Sequence, residues 1–177
     1  QYFIKANKVL MTPIYDNAPL PSTCKAPNFF IIGAPKCGTT SLYHYFKEHS
    51  EVFMPEVKEP EFFSSDITIS KFADLSSYLE MYRPGNQQSR AGDASPWSLY
   101  SPSAPQRIKT LFPNADIIVT LRNPIDMIYS LHSQLCFNHG GEDILDFEKA
   151  LEAEPERAAG KYPKSNEMVP IYYQYRK

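Results

Sequence analysis

Lys36, Gly38, Thr39, Thr40 and Ser41 stand together in residues 29–42, where an apolar run stops at Gly33 and a short loop leads into a helical pattern. One cation, several hydroxyls and a glycine at such a junction can hold an anion. The strand fixes the loop, and glycine lets the backbone approach the ligand. The helix N-terminus adds unpaired N–H groups and the positive end of its dipole. A second cation, Arg122, closes the apolar run 115–121, and Ser130 follows about two helical turns later. The planar fork of an arginine suits the oxygens of a phosphate, although an arginine here could instead pair with Asp126.

The position of the lysine narrows the choice of anion. A nucleoside-triphosphate loop reads G-x-x-x-x-G-K-[ST], with lysine directly after the second glycine. Gly33 and Gly38 have that separation, but Thr39 follows Gly38 and the lysine stands earlier, at Lys36. Such an enzyme also needs an acidic residue at a strand end to help hold Mg²⁺, and here that place belongs to Arg122. The pattern favours two anionic groups bound directly, without metal. A kinase or nucleoside triphosphatase is the rival reading.

Residues 35–42 resemble the 5′-phosphosulfate loop of sulfotransferases that use 3′-phosphoadenosine-5′-phosphosulfate (PAPS). Residues 121–130 resemble their 3′-phosphate motif. Lys58-Glu59-Pro60-Glu61-Phe62-Phe63 and Gly92-Asp93-Ala94-Ser95-Pro96 fall where members related to the heparan-sulfate enzymes carry similar segments. The resemblance covers about residues 28–138 and implies a P-loop NTPase-like three-layer α/β sandwich with a central parallel sheet. The implied reaction moves a sulfuryl group from PAPS to an acceptor hydroxyl, or an amine, and releases adenosine 3′,5′-bisphosphate. Lys36 and Glu59 then carry the catalytic roles, Lys36 at the leaving phosphate and Glu59 as the base. Lys36, Cys37, Gly38, Thr39, Thr40, Ser41, Arg122 and Ser130 would bind the cofactor. A solvated Glu59 beside Lys58 is the competing reading of that carboxylate. Two departures stand out: Glu61, where several relatives carry histidine, and Ala94, where heparan-type enzymes carry lysine. The acceptor stays open among carbohydrate, lipid, polyketide and small-molecule classes.

These residues need a scaffold, and the sequence predicts one. Strands and helices alternate: strand 29–33, helix 39–49, helix 71–82, a short segment near 90–94, helix 103–111, strand 115–121 and helix 124–137. That alternation implies a parallel sheet covered by helices, with ligands at the C-terminal strand ends. Residues 1–27, rich in proline, read as an arm or linker, and 28–177 as the domain. A short amphipathic helix is expected over 147–154, then an apolar-aromatic stretch over 168–175. Family members continue well past the second phosphate motif, so the domain is expected to be incomplete at its C-terminal side. A non-catalytic nucleotide-binding module is therefore a further reading.

Composition excludes some classes. The chain has 177 residues and a formal net charge of −2 with no basic block, which gives no support for a nucleic-acid partner. No apolar run approaches the roughly 20 residues that cross a bilayer. Three cysteines, Cys24, Cys37 and Cys136, form no disulfide framework, so a reducing, cytoplasmic location is expected. No histidine pair has zinc-site spacing. His132 could approach the cleft or be a satisfied histidine. Trp97 reads either as an acceptor contact or as packing.

Overall fold

Phe29, Phe30 and Ile31 form strand β1 (Phe29–Ile31), and all three side chains are buried. Successive strand residues point to opposite faces, so burial on both faces demands helices on both sides. The computed structural model describes residues 25–85, 87–138, 141–159 and Tyr175. In chain order the further elements are α1 (Thr39–Glu48), β2 (Val52–Phe53), α2 (Leu75–Glu80), β3 (Arg90–Ala94), α3 (Ala104–Leu111), β4 (Asp116–Ile118), α4 (Pro124–Phe137), α5 (Phe147–Glu152) and α6 (Glu154–Ala158). Short 3-10 turns occupy Arg83–Gly85 and Pro96–Leu99.

The four strands are all parallel, in the order β2-β3-β1-β4. The expected α/β fold, a central parallel sheet between helices, is thus the observed one. On one face Phe30 packs with Phe62, Phe63, Tyr78 and Phe112 under α2 and α3. On the other, Phe29 and Ile31 meet Tyr43 and Met54 under α1. A third cluster, Leu131, Leu135, Ala150 and Tyr175, ties α4 to α5.

Several expected boundaries shift for local reasons. The helix expected over 71–82 starts only after Asp74, whose carboxylate accepts the Ser77 N–H at 2.8 Å while the Ser77 hydroxyl reaches back to the Asp74 N–H. This capping box fixes the first turn. Residues 90–94 are a full inner strand, β3, paired with both β1 and β2. β4 is shorter than 115–121, yet the pairing continues: the Thr120 N–H donates to Gly33 O at 2.8 Å and the Ala34 N–H to Thr120 O at 2.7 Å. The helix expected over 147–154 is two helices, α5 and α6. The arm, apart from residues 25–27, and the 168–175 stretch, apart from Tyr175, lie outside the described residues.

Candidate active site

The loop between β1 and α1 is held open by backbone geometry. Gly33 has φ 142°, and a Cβ there would lie 2.6 Å from Pro96 O. Glycine is therefore required where this loop crosses the turn after β3. Lys36 (φ 61°) and Gly38 (φ 83°) then turn the chain into α1. The first helical bond runs from the Leu42 N–H to Gly38 O, and no side chain caps the helix. The N–H groups of Thr39, Thr40 and Ser41 thus precede the ladder and present the positive end of α1.

The second cation is placed by the end of β4. The Thr120 hydroxyl donates to Gly33 O at 3.0 Å, which brings the chain leading to Arg122 against the loop. Asn123 caps α4 by accepting the Ile125 N–H at 2.9 Å, and Pro124 occupies the first turn.

These elements enclose a cavity of about 270 Å³. Its walls include Lys36, Gly38, Thr39, Thr40, Glu59, Arg122 and Ser130, with Pro35, Pro96, Trp97, Leu131 and Gln134 completing them. Cys37 and Ser41 are not part of the lining; the Cys37 thiol turns to Pro35 O, and burial pushes it up from its ordinary value. A neighbouring cavity of about 430 Å³ shares Arg122 and Ser130 and adds Ile125, Asp126, Tyr129, Ser133 and Phe147. Among the described residues neither Lys36 nor Arg122 is in an ion pair, so the possible Arg122–Asp126 bridge is not formed. Two cations with no carboxylate partner beside a helix N-terminus make a strongly anion-seeking surface.

Glu59 reaches this cavity from the loop after β2. It pairs with Lys58 and keeps 40% of its side chain exposed. Its backbone is left-handed, φ 54°, and so is that of Glu61, φ 51°. Such conformations cost about 1–3 kcal/mol each and persist only where surroundings enforce them. Here Lys71 enforces them in part: its Nζ donates to Lys58 O at 2.6 Å and its N–H to Pro60 O at 3.0 Å.

Beneath Glu59 lies a polar group for which sequence reasoning gave no signal beyond the departure at Glu61. Glu61 and Asp93 are 4% and 2% exposed. Burial is the main cause that pushes Glu61 up to about 8, with the charges of Asp93 and Glu59 adding to it. Burial likewise raises Asp93 to about 6, against the hydrogen bonds of Ser95 and Tyr78. A third buried group, Glu142 with Arg157 and the Tyr175 hydroxyl, closes the base of α4.

Of the remaining candidates, Trp97 reaches the cavity. His132 is buried, with Nε2 2.8 Å from Ile144 O, and is a satisfied core histidine. Trp97 lines the cavity and packs against the α4–α5 cluster. Ala94 is 3% exposed and in register with Ile31, so this departure sits in the core. Among the described residues no group of three or more His, Cys, Asp or Glu could hold a metal ion.

The chain is similar to known proteins in sequence and fold. The model of the sulfotransferase domain matches residues 26–165. The membrane-associated sulfotransferase kil1 of Dictyostelium discoideum is 31% identical over 100 residues, covering 56% of this chain and 21% of kil1. Human carbohydrate sulfotransferase 15 is 29% identical over 171 residues, covering 72% of this chain and 30% of the relative. The crystal structure of a sulfotransferase from Alicyclobacillus acidocaldarius aligns with a TM-score of 0.73 at 30% identity, covering 86% of this chain and 63% of that one. The chain thus spans less than a third of these curated relatives. The expected cytoplasmic location is overturned by the match to a membrane-associated protein. Its premise was weak: free cysteines occur in every compartment, and a core of this size needs no disulfides. No helix among the described residues is long and apolar enough to cross a membrane.

Proposed function

The chain belongs to the sulfotransferase domain family, and on that premise we propose that it transfers a sulfuryl group from PAPS to a hydroxyl of a carbohydrate. The observation that carries the reading is the shared cavity, in which Lys36, Arg122 and the start of α1 face Glu59. The residues fit an adenosine donor with phosphate at both ends: Lys36 and the amides of Thr39, Thr40 and Ser41 suit the 5′-phosphosulfate, and Arg122 with Ser130 suits the 3′-phosphate. The donor supplies the sulfuryl group.

This chain's residues supply the rest. Glu59 accepts the proton of the acceptor hydroxyl as its oxygen attacks sulfur. Lys36 and the α1 amides balance the charge that gathers on the departing phosphate. Trp97 offers the acceptor an aromatic wall. The names of the relatives, carbohydrate sulfotransferase 15 and a heparan sulfate N-deacetylase/N-sulfotransferase, support a glycan acceptor, with an amine as the second choice. The test is transfer of labelled sulfate from PAPS to desulfated chondroitin and to N-desulfated heparan chains. Label on neither polymer, with the bisphosphate bound, would remove the glycan assignment.

A further inference from the structure

We propose that Glu61 is a positioning residue, whose buried carboxyl group fixes the loop carrying Glu59 against the cavity wall formed by Pro96 and Trp97. The inference rests on the reading of Glu59 as the base. Glu61 acts as the neutral acid.

The connections are specific. The Glu61 N–H donates to the Ser95 hydroxyl at 3.1 Å, which joins the Glu59 loop to the residue just before Pro96. The Ser64 hydroxyl binds Glu61 Oε2, and the Thr68 hydroxyl donates to Ser64 O at 3.0 Å. The Ser95 link belongs to the Glu61 backbone, whereas the carboxyl group itself meets the Ser64 hydroxyl of its own loop and the backbone N–H of Trp97, so it joins the Glu59 loop to a residue that lines the cavity. Its other oxygen, Oε1, is buried without a hydrogen-bond partner, as is Asp93 Oδ1. Two carboxylates with orphaned oxygens are costly to bury if both are charged.

The surroundings decide which one keeps a proton. Glu59 on the same loop and Asp93 on β3 are anionic neighbours of Glu61. From α2, the Tyr78 hydroxyl donates to Asp93 Oδ2 at 2.7 Å, and Tyr82 lies beside Tyr78. From α3, the Arg107 guanidinium covers the rings of Phe62 and Phe63 and donates to Phe63 O. Asp93 has the Tyr78 and Ser95 hydroxyls to hold its charge, whereas Glu61 sets the Ser64 hydroxyl and the Trp97 N–H against two negative neighbours. The proton resides on Glu61. When it leaves, three carboxylates repel one another and the left-handed backbone at Glu59 and Glu61 loses its brace.

The experiment compares Glu61→Gln, Glu61→Ala and Ser64→Ala with wild type, using PAPS and desulfated chondroitin. Glutamine mimics the neutral acid and should keep kcat within about twofold at neutral pH, while alanine should lower kcat by ~100-fold, the scale of a small misplacement of a catalytic group. Affinity for adenosine 3′,5′-bisphosphate should stay unchanged in all three. The wild-type kcat should fall as pH passes about 8, and Glu61→Gln should lose that fall. If Glu61→Ala does not fold, Ser64→Ala, which removes the hydroxyl bound to the Glu61 carboxyl, carries the test and should lower kcat without changing bisphosphate affinity. Infrared difference spectra between wild type and Glu61→Gln should show a carboxylic-acid band at neutral pH without any acceptor. Absence of that band, equal losses in Gln and Ala variants, or unchanged kcat in Ser64→Ala would each overturn the proposal. Full turnover in Glu59→Gln with the band present would instead overturn the assignment of the base.

Discussion

Arg122 and Ser130 form part of the walls of both cavities, one from the end of β4 and the other from α4. The two spaces therefore share one wall. That relationship makes the pair the hinge point of the cofactor assignment.

Arg122→Ala should weaken adenosine 3′,5′-bisphosphate binding by about 1.5–3 kcal/mol, the usual scale for a hydrogen bond to a charged group. Folding should be untouched, since Arg122 is exposed and in no ion pair among the described residues. Titration calorimetry with the purified variant reads this directly.

Lys36→Ala and Glu59→Gln should each lower turnover by ~10²–10⁴, the range for loss of a positioned acid–base or charge-stabilising group. Single-turnover rates with saturating PAPS check both variants.

The chain's response to pH should carry the mark of the buried carboxyls. Glu61 titrates at about 8 when folded against 4.5 ordinarily, and Asp93 at about 6 against 3.8. The folded chain therefore holds protons that the unfolded chain has released. Their contribution to stability is fully present below the ordinary values and is lost as pH rises through the folded ones. Urea unfolding should show stability falling over that window, and Glu61→Gln should flatten the part above Asp93's range.

Glu142 should behave in the opposite sense. Burial alone would raise it, but Arg157, the Tyr175 hydroxyl and the Ile144 N–H together hold it below its ordinary value of 4.5. Its contribution is present above that value and is lost as pH falls through the folded one. Arg157→Ala leaves Glu142 buried and uncompensated and should cost about 3–5 kcal/mol at neutral pH. The cost should shrink in acid, as denaturant midpoints measured at several pH values would show.

Local chemistry explains what could be read from the chain alone. The β1 loop, Lys36 and the start of α1 are contiguous, and the Asn123-Pro124 cap of α4 is a short-range signal, so both segments that line the cavity were legible. β3 was harder to read, because Gly92 and Asp93 are poor strand formers. Gly92 is there because a Cβ would strike the Phe29 ring at 2.2 Å, and Asp93 because Tyr78 meets it across the core. Neither reason is visible in a linear pattern. The same holds for Glu61: its neighbour Ser95 lies 34 positions away, and only folding turns a polar loop residue into a buried one. Arg157 and Glu142, 15 positions apart, were hidden for the same reason.

The measurement closest to the central claim is a calorimetric titration of this chain with adenosine 3′,5′-bisphosphate, set beside 5′-ADP and Mg²⁺-ATP. Two anion sites built from Lys36, the α1 amides, Arg122 and Ser130 predict that the bisphosphate binds most tightly, without metal, and that Arg122→Ala erases its advantage over 5′-ADP. Tighter binding of Mg²⁺-ATP, or a bisphosphate affinity no better than that of 5′-ADP, would contradict the account.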